Sequence, residues 1–423
     1  MKFLKKIQDL YRDDTIRNGS LFSLFSFVNK GVSFLLLLVL ANFIVPAEYG
    51  YLNLFNTVVM VVGYFIAMSS EGYLSVSYFK DGPDSVKQCV SSSLLTMLFV
   101  VMLFAMMLFT GGELISSALR VPLPLLCLAI LICFCSVLSR IAMNYYRIRK
   151  QIWMYGLMSC GSAVLYFVLS IVFVKFLNAG WQGCVWAQFG SFFIFGAAAL
   201  ILFFRNGFVC VPSIEFWKKM LLWGIPLIPH LATNFIRQGC DRYIIDYFHG
   251  IDEVGLFCFA LNLANVIIMI GMGFNDSNSV ELFGVLGNKS LDKDCKIFFI
   301  KKQRRTIFFV YLFASLSVVL FFVFFIPIAL SKYEASISYF LILSIYGFFH
   351  CLYFLYTNFL FYYKKTKTLM YVTFSSALLH LALSLIFTRY SLIATSVVYC
   401  LTQLIVVLFV RYYANRLVQR DLC

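Results

Sequence analysis

PLIPHLATNFIRQGCDRYIID, residues 226–246, decides how the chain is read. Most of it is apolar enough to sit in a membrane, yet His230, Asn234, Arg237, Asp241 and Arg242 interrupt it. On a helix turning about 100° per residue, His230, Asn234, Arg237 and Asp241 fall within a stripe of roughly 60°. The four share one face. A charged group at mid-membrane costs at least about 2.5 kcal/mol, so such a stripe faces protein or water and not lipid.

The remainder of the chain supplies the lipid setting. Of 423 residues, 62% are hydrophobic and 13% charged, with 48 Phe, 25 Tyr and a mean hydropathy of +0.88. Apolar runs of about 20 residues, the length that crosses a hydrocarbon core, recur from end to end. Breaks at charge and at Gly/Pro clusters give twelve spans: 19–44, 52–79, 88–110, 121–140, 154–176, 181–204, 221–246, 254–284, 306–330, 337–362, 368–388 and 391–411. The expected fold class is an all-α polytopic membrane protein.

Charge tests this segmentation independently. Of the 34 Lys and Arg, Arg120, Lys175, Arg242, Lys332 and Arg389 fall on one side, Lys30 and Arg237 lie within spans, and all the others fall on the side of the two termini. That alternation is what the positive-inside rule predicts for twelve helices with both ends cytoplasmic. The net charge of +15 is therefore explained by anchoring and by attraction to anionic membrane lipid, and implies no nucleic-acid partner. The basic start, MKFLKKIQDLYRDDTIRNGS, leads into an apolar run too long for a cleaved signal peptide and without a small-residue cleavage site, so it reads as a surface segment before a retained span.

Connections are short throughout, and no stretch is large enough for a soluble catalytic domain. Most of the thirteen cysteines lie inside apolar runs and read as small buried hydrophobes, so neither a metal site nor a cofactor is expected.

The chain also repeats itself. An offset of 205 residues pairs Gly19 with Gly224, Asn29 with Asn234, Phe43 with Phe248, Glu48 with Glu253, Gly50 with Gly255, Val61 with Val266 and Glu71 with Asp276. An even number of spans per half keeps the halves parallel, giving two pseudo-symmetric six-helix bundles around a central cavity. The expected organisation is a cytoplasmic segment over 1–18, a bundle over 19–204, a cytoplasmic linker over 205–220, a second bundle over 221–411 and a cytoplasmic tail over 412–423.

Four helices carry polar seams. Besides span seven, span one aligns Ser23, Ser26, Lys30 and Ser33, span two aligns Asn53, Asn56, Glu71 and Ser75, and span eight aligns Asn262, Asn265, Asp276 and Ser279. Lys30, Arg237, His230 and Asn234 are the candidate ligands of an anionic, hydroxyl-rich cargo, because Arg and Lys bind phosphate directly. Glu71, Asp241 and Asp276 are the candidates for ion coupling or gating, and Asn53, Asn56, Asn262, Asn265 and Ser279 for polar lining. Structural alternatives stand beside each. Arg237 and Asp241, spaced i to i+4, suit a mutual ion pair; Lys30 suits snorkelling; His230 suits a backbone carbonyl freed by Pro229; and Asn and Ser serve as interhelical glue. Pro226 and Pro229 are expected to kink span seven near its start.

The run WGIPLIPHLATNFIRQGCDRYIIDYFHGIDEVGLFCFALNLANVI resembles the seventh and eighth helices of Wzx-type polysaccharide flippases, in which G-x-P, D-R-Y-x-I and V-G-x-Y-like elements recur. Leu256-Phe257 stands where the family's Tyr follows the glycine, and NFIVPAEYGYLNLF is similar to the family's first external turn. The resemblance implies a polysaccharide transporter of the multidrug, oligosaccharidyl-lipid and polysaccharide exporter superfamily. It implies an undecaprenyl-diphosphate-linked oligosaccharide repeat unit as cargo, moved across the bacterial inner membrane for O-antigen (lipopolysaccharide) or capsule synthesis without any bond being made or broken. Proton or sodium exchange at Glu71, Asp276 or Asp241 would drive the cycle, beside a polymerase and a chain-length regulator. The competing readings are a cation-coupled multidrug antiporter of the same superfamily, which predicts an acid-dominated cavity, and a membrane glycan polymerase or acyltransferase, which needs a site in a sizeable outer loop, where His249 is the one candidate.

Overall fold

The structure, a computed structural model, describes residues 14–68, 70–288 and 290–422. Helices joined by short turns make up the described residues, with no β-strand among them. Among the described residues, eleven helices are long and apolar enough to cross a membrane, and an interrupted twelfth pass lies between residues 214 and 249. In chain order the helices are α1 (Asp14–Phe43), α2 (Pro46–Ala67), α3 (Ser70–Asp81), α4 (Ser85–Leu119), α5 (Leu123–Ile148), α6 (Ile152–Ile171), α7 (Gly180–Arg205), α8 (Ile214–Gly224), α9 (Ile228–Asn234), α10 (Cys240–His249), α11 (Ile251–Gly287), α12 (Lys293–Ala329), α13 (Ile337–Tyr362), α14 (Thr366–Phe387) and α15 (Leu392–Leu422). The second pass, α2 and α3, breaks at Met68, whose φ is 39°.

Several helices outrun their apolar cores. α5 continues past the expected end at 140 to Ile148, α12 begins at Lys293 and not at 306, and α15 runs to Leu422. In each case the helix continues past the apolar run through basic residues, Arg147 in α5, Lys293 to Arg305 in α12 and Arg416 to Arg420 in α15, because Lys and Arg propagate a helix nearly as well as Leu. α4 passes through the expected end at 110 by bending at Gly111, where φ is −135° and ψ is 22°.

The seventh pass is where the helix is least regular. α8 gives way at Ile225–Leu227 to a 3₁₀ turn containing Pro226, and Phe235–Gly239 forms a π turn between α9 and α10. The expected proline kink is the 3₁₀ turn; the π turn, which carries Arg237, has no sequence signal.

The chain forms two compact units, one holding residues up to Ile44 and Leu54–Ala232, the other Val45–Asn53 and everything from Thr233. In the first unit α8 packs on α3 and α4. Trp223 stacks against Tyr73 at 5.6 Å between ring centroids, and Trp217 Nε1 donates to Thr96 Oγ1 at 2.8 Å. In the second unit the start of α2 packs on the start of α11, and here the internal repeat becomes visible as geometry. A Cβ on Gly50 would overlap the Ile251 carbonyl oxygen, and a Cβ on Gly255 would overlap that of Pro46. Residues 46 and 50 map onto 251 and 255 by the repeat offset, so the two close approaches are copies of each other. Without hydrophobic driving force between helices in lipid, such backbone approach is what lets them associate. Gly255→Ala is expected to cost about 1–3 kcal/mol by overpacking and to lower the melting temperature of the purified protein in detergent. Gly284→Ala, in the same helix with nothing within 4 Å, serves as the control and is expected to leave it unchanged.

Candidate functional site

Two polar clusters stand out, one inside each unit. In the first unit, α1, α3, α5 and α6 enclose a cleft of about 400 Å³. Lys30, Arg140 and Arg147 supply three cations, Glu71 one carboxylate, and Asn29, Asn144, Ser26 and Ser159 the neutral polar lining. Arg140, Asn144 and Arg147 share one face of α5 through i, i+4, i+7 spacing. Arg140 Nε donates to Glu71 Oε2 at 3.0 Å. Asn144 Nδ2 donates to the Glu71 carbonyl and, at 2.8 Å, to Ser75 Oγ, while its Oδ1 accepts from Arg147 Nη2 at 2.6 Å. Asn29 Nδ2 donates to Ser159 Oγ at 3.3 Å, tying α1 to α6 beside Lys30.

Three positive groups against one negative leave the lining of this cleft net cationic. The Arg140–Glu71 pair leaves the two side chains 41% and 36% exposed, so it is worth only about 0.2–1 kcal/mol.

The second unit holds a dry polar cluster. Asp241 and His380 are 1% and 0% exposed, and His380 Nε2 lies 2.7 Å from Asp241 Oδ2. The other ring nitrogen, Nδ1, lies 3.1 Å from Thr402 Oγ1. One turn away, Arg237 Nη2 donates to Gln403 Oε1 at 2.9 Å, and Tyr399 Oη donates at 2.7 Å to the Arg237 carbonyl oxygen, which lies in the π turn. α10, α14 and α15 thus meet around one buried carboxylate.

The sequence-predicted residues are distributed as follows. Lys30 and Glu71 come together in the first cleft. Arg237 and Asp241 do not pair with each other: the guanidinium is held by Gln403 and the carboxylate by His380. The side chain of His230 lies outside the described residues, and Asn234 is exposed. Asn53 is buried and its amide donates within α2 to the Tyr49 carbonyl at 2.8 Å, while Asn262 Nδ2 donates to Tyr49 Oη at 2.6 Å and so ties α11 to α2. Asn56 and Asn265 are half-buried, Asp276 is exposed, and Ser279 Oγ donates to the Asp276 carbonyl at 3.0 Å. Arg140, Arg147 and His380 were not among the expected site residues. For the arginines the signal was the i, i+4, i+7 spacing in RIAMNYYR, and for His380 it was an ionisable group inside an apolar span.

A multi-pass helical chain with cationic and carboxylate groups held inside its bundles has the build of a membrane transporter. The chain belongs to the polysaccharide biosynthesis protein family, whose model matches residues 15–276. A search of curated proteins finds no match. Among solved structures the chain is similar to a multidrug resistance MATE family transporter of the MOP superfamily in an inward-facing conformation, at 13% identity and a TM-score of 0.69 with 95% of each chain covered. It is also similar to the lipid II flippase MurJ in an inward closed conformation, at 15% identity and a TM-score of 0.68, covering 95% of this chain and 89% of that one. The fold is that of MOP-superfamily transporters and flippases.

Proposed function

We propose that the chain is a flippase carrying undecaprenyl-diphosphate-linked oligosaccharide repeat units from the cytoplasmic to the outer leaflet of the bacterial inner membrane, with both termini cytoplasmic. The observation that carries this reading is the cationic cleft of the first unit. Lys30, Arg140 and Arg147 present a density of positive charge suited to a diphosphate, and the weak Glu71 contact holds Arg140 in place until the cargo arrives. No covalent step is required of any residue. Polymerase and chain-length regulator proteins act on the product in the outer leaflet.

The drive, in this reading, is a proton taken up at Asp241. His380 sits on the carboxylate, and Tyr399, Arg237, Cys240 and Cys258 are the other titratable or charged groups around the pair. Adding a proton removes a charge from the bond between α10 and α14, and that change reaches the π turn through Tyr399. The irregular backbone there gives the seventh pass a place to bend.

In cells, removing the chain is expected to abolish surface polysaccharide and to accumulate lipid-linked repeat units, and supplying it again reverses both. Unchanged surface polysaccharide together with new sensitivity to organic cations would instead assign the chain to drug export.

A further inference from the structure

A second pocket, unrelated to the charged clusters above, lies within the second unit between α11 and α12. It encloses about 410 Å³, within the roughly 300–1,000 Å³ typical of small-ligand sites. Phe274, Asn278 and Glu281 line one wall at i, i+4, i+7 on α11; Lys302, Gln303 and Thr306 line the other on α12. Two of these side chains are incomplete. Asn278 Oδ1, an acceptor, and Gln303 Nε2, a donor, have no hydrogen-bond partner among the described residues. Asn278 is only 7% exposed. Buried polar atoms left unpaired cost about 1–3 kcal/mol each, so a site retaining two of them is built for something that pairs with both.

The chemistry of that occupant follows from the wall. An unpaired amide oxygen takes an O–H, and an unpaired amide N–H gives to an oxygen, so a group that both donates and accepts satisfies the two together. Glu281 adds an acceptor with two oxygens, Lys302 and Thr306 add donors, and one carboxylate against one ammonium leaves the wall without net charge. A phosphate would meet Glu281, and an organic cation would meet Lys302. Phe274 and Phe299 supply flat apolar faces for C–H groups. A neutral ring bearing neighbouring hydroxyls matches every one of these features. We propose that this pocket is a saccharide subsite that holds sugar residues of the cargo glycan through Asn278, Gln303 and Glu281. The inference rests on the flippase reading and adds to it a place where the glycan, as distinct from the diphosphate, is recognised.

The test uses the full chain in detergent and four probes: undecaprenyl diphosphate, the lipid-linked oligosaccharide pool extracted from cells that express the chain, the free oligosaccharide released from that pool, and phosphatidylglycerol. Binding is read by native mass spectrometry for wild type and for the double variant Asn278→Ala, Gln303→Ala. The expected result is a loss of about tenfold or more for the glycan-bearing lipid, with undecaprenyl diphosphate and phosphatidylglycerol unchanged. Equal affinity of wild type and variant for the glycan-bearing lipid overturns the subsite, as does a loss confined to phosphatidylglycerol, which would make the pocket a headgroup site. If wild type binds neither undecaprenyl diphosphate nor the glycan-bearing lipid, the flippase reading itself fails. A second variant guards against misfolding. Val310→Cys, at a lining residue with no bonding role, is expected to react with maleimide more slowly in the presence of the free oligosaccharide, and an unchanged rate counts against the subsite.

Discussion

Arg140→Ala is expected to weaken binding of undecaprenyl diphosphate by about 10- to 150-fold, the equivalent of the roughly 1.5–3 kcal/mol carried by hydrogen bonds to a charged group. Arg140 and Arg147 project into one cleft with Lys30 from α1, and Arg140 is held in position by Glu71 at 3.0 Å. Arg140→Lys keeps a point charge but loses the planar fork, so it is expected to fall between wild type and alanine. Glu71→Gln removes the competing carboxylate while leaving an acceptor for Arg140, and is expected to bind as tightly as wild type or more so. The check is a titration of each purified variant with undecaprenyl diphosphate, with undecaprenol as the uncharged comparison. An Arg140→Ala protein that binds within twofold of wild type would remove the cleft from the account.

The second large effect concerns Asp241 and His380. Removing either partner strands the other in a site with almost no solvent, and breaking such a pair costs about 3–5 kcal/mol. Asp241→Ala and His380→Ala are therefore both expected to lower the melting temperature sharply. Asp241→Asn keeps an oxygen against the His380 ring and is expected to be milder, yet it can no longer exchange a proton. The two roles separate in one assay: transport by wild type in proteoliposomes is expected to depend on a pH gradient, and Asp241→Asn is expected to lose that dependence. A variant that keeps wild-type gradient dependence would make the pair a structural fastener only.

How far the sequence reached can be judged residue by residue. Span number and fold class were legible because hydrocarbon thickness and backbone satisfaction leave few choices for a chain this apolar. The repeat was legible through Gly50 and Gly255, where only a residue without Cβ permits the approach to Ile251 and Pro46. Helix ends were not. Hydropathy stops where charge begins, so Arg140 closed an expected span and Arg147 fell into the loop after it, although the helix runs on to Ile148 and turns both into the cleft with Lys30. His380 was missed for another reason: its partner Asp241 lies 139 residues away, and nothing local marks a lone His in an apolar run as half of a pair. Arg237 and Asp241 illustrate the converse. Their spacing suited a mutual ion pair, and the packing of α14 and α15 gave each a different partner.

The central claim is tested most directly by reconstituting the purified chain into proteoliposomes and following a fluorescent undecaprenyl-diphosphate oligosaccharide from one leaflet to the other. The account predicts translocation by wild type, near-complete loss in Arg140→Ala and Lys30→Ala at unchanged protein incorporation, and no effect of adding organic cations. Liposomes in which wild type moves organic cations but leaves the glycolipid in its original leaflet would contradict it.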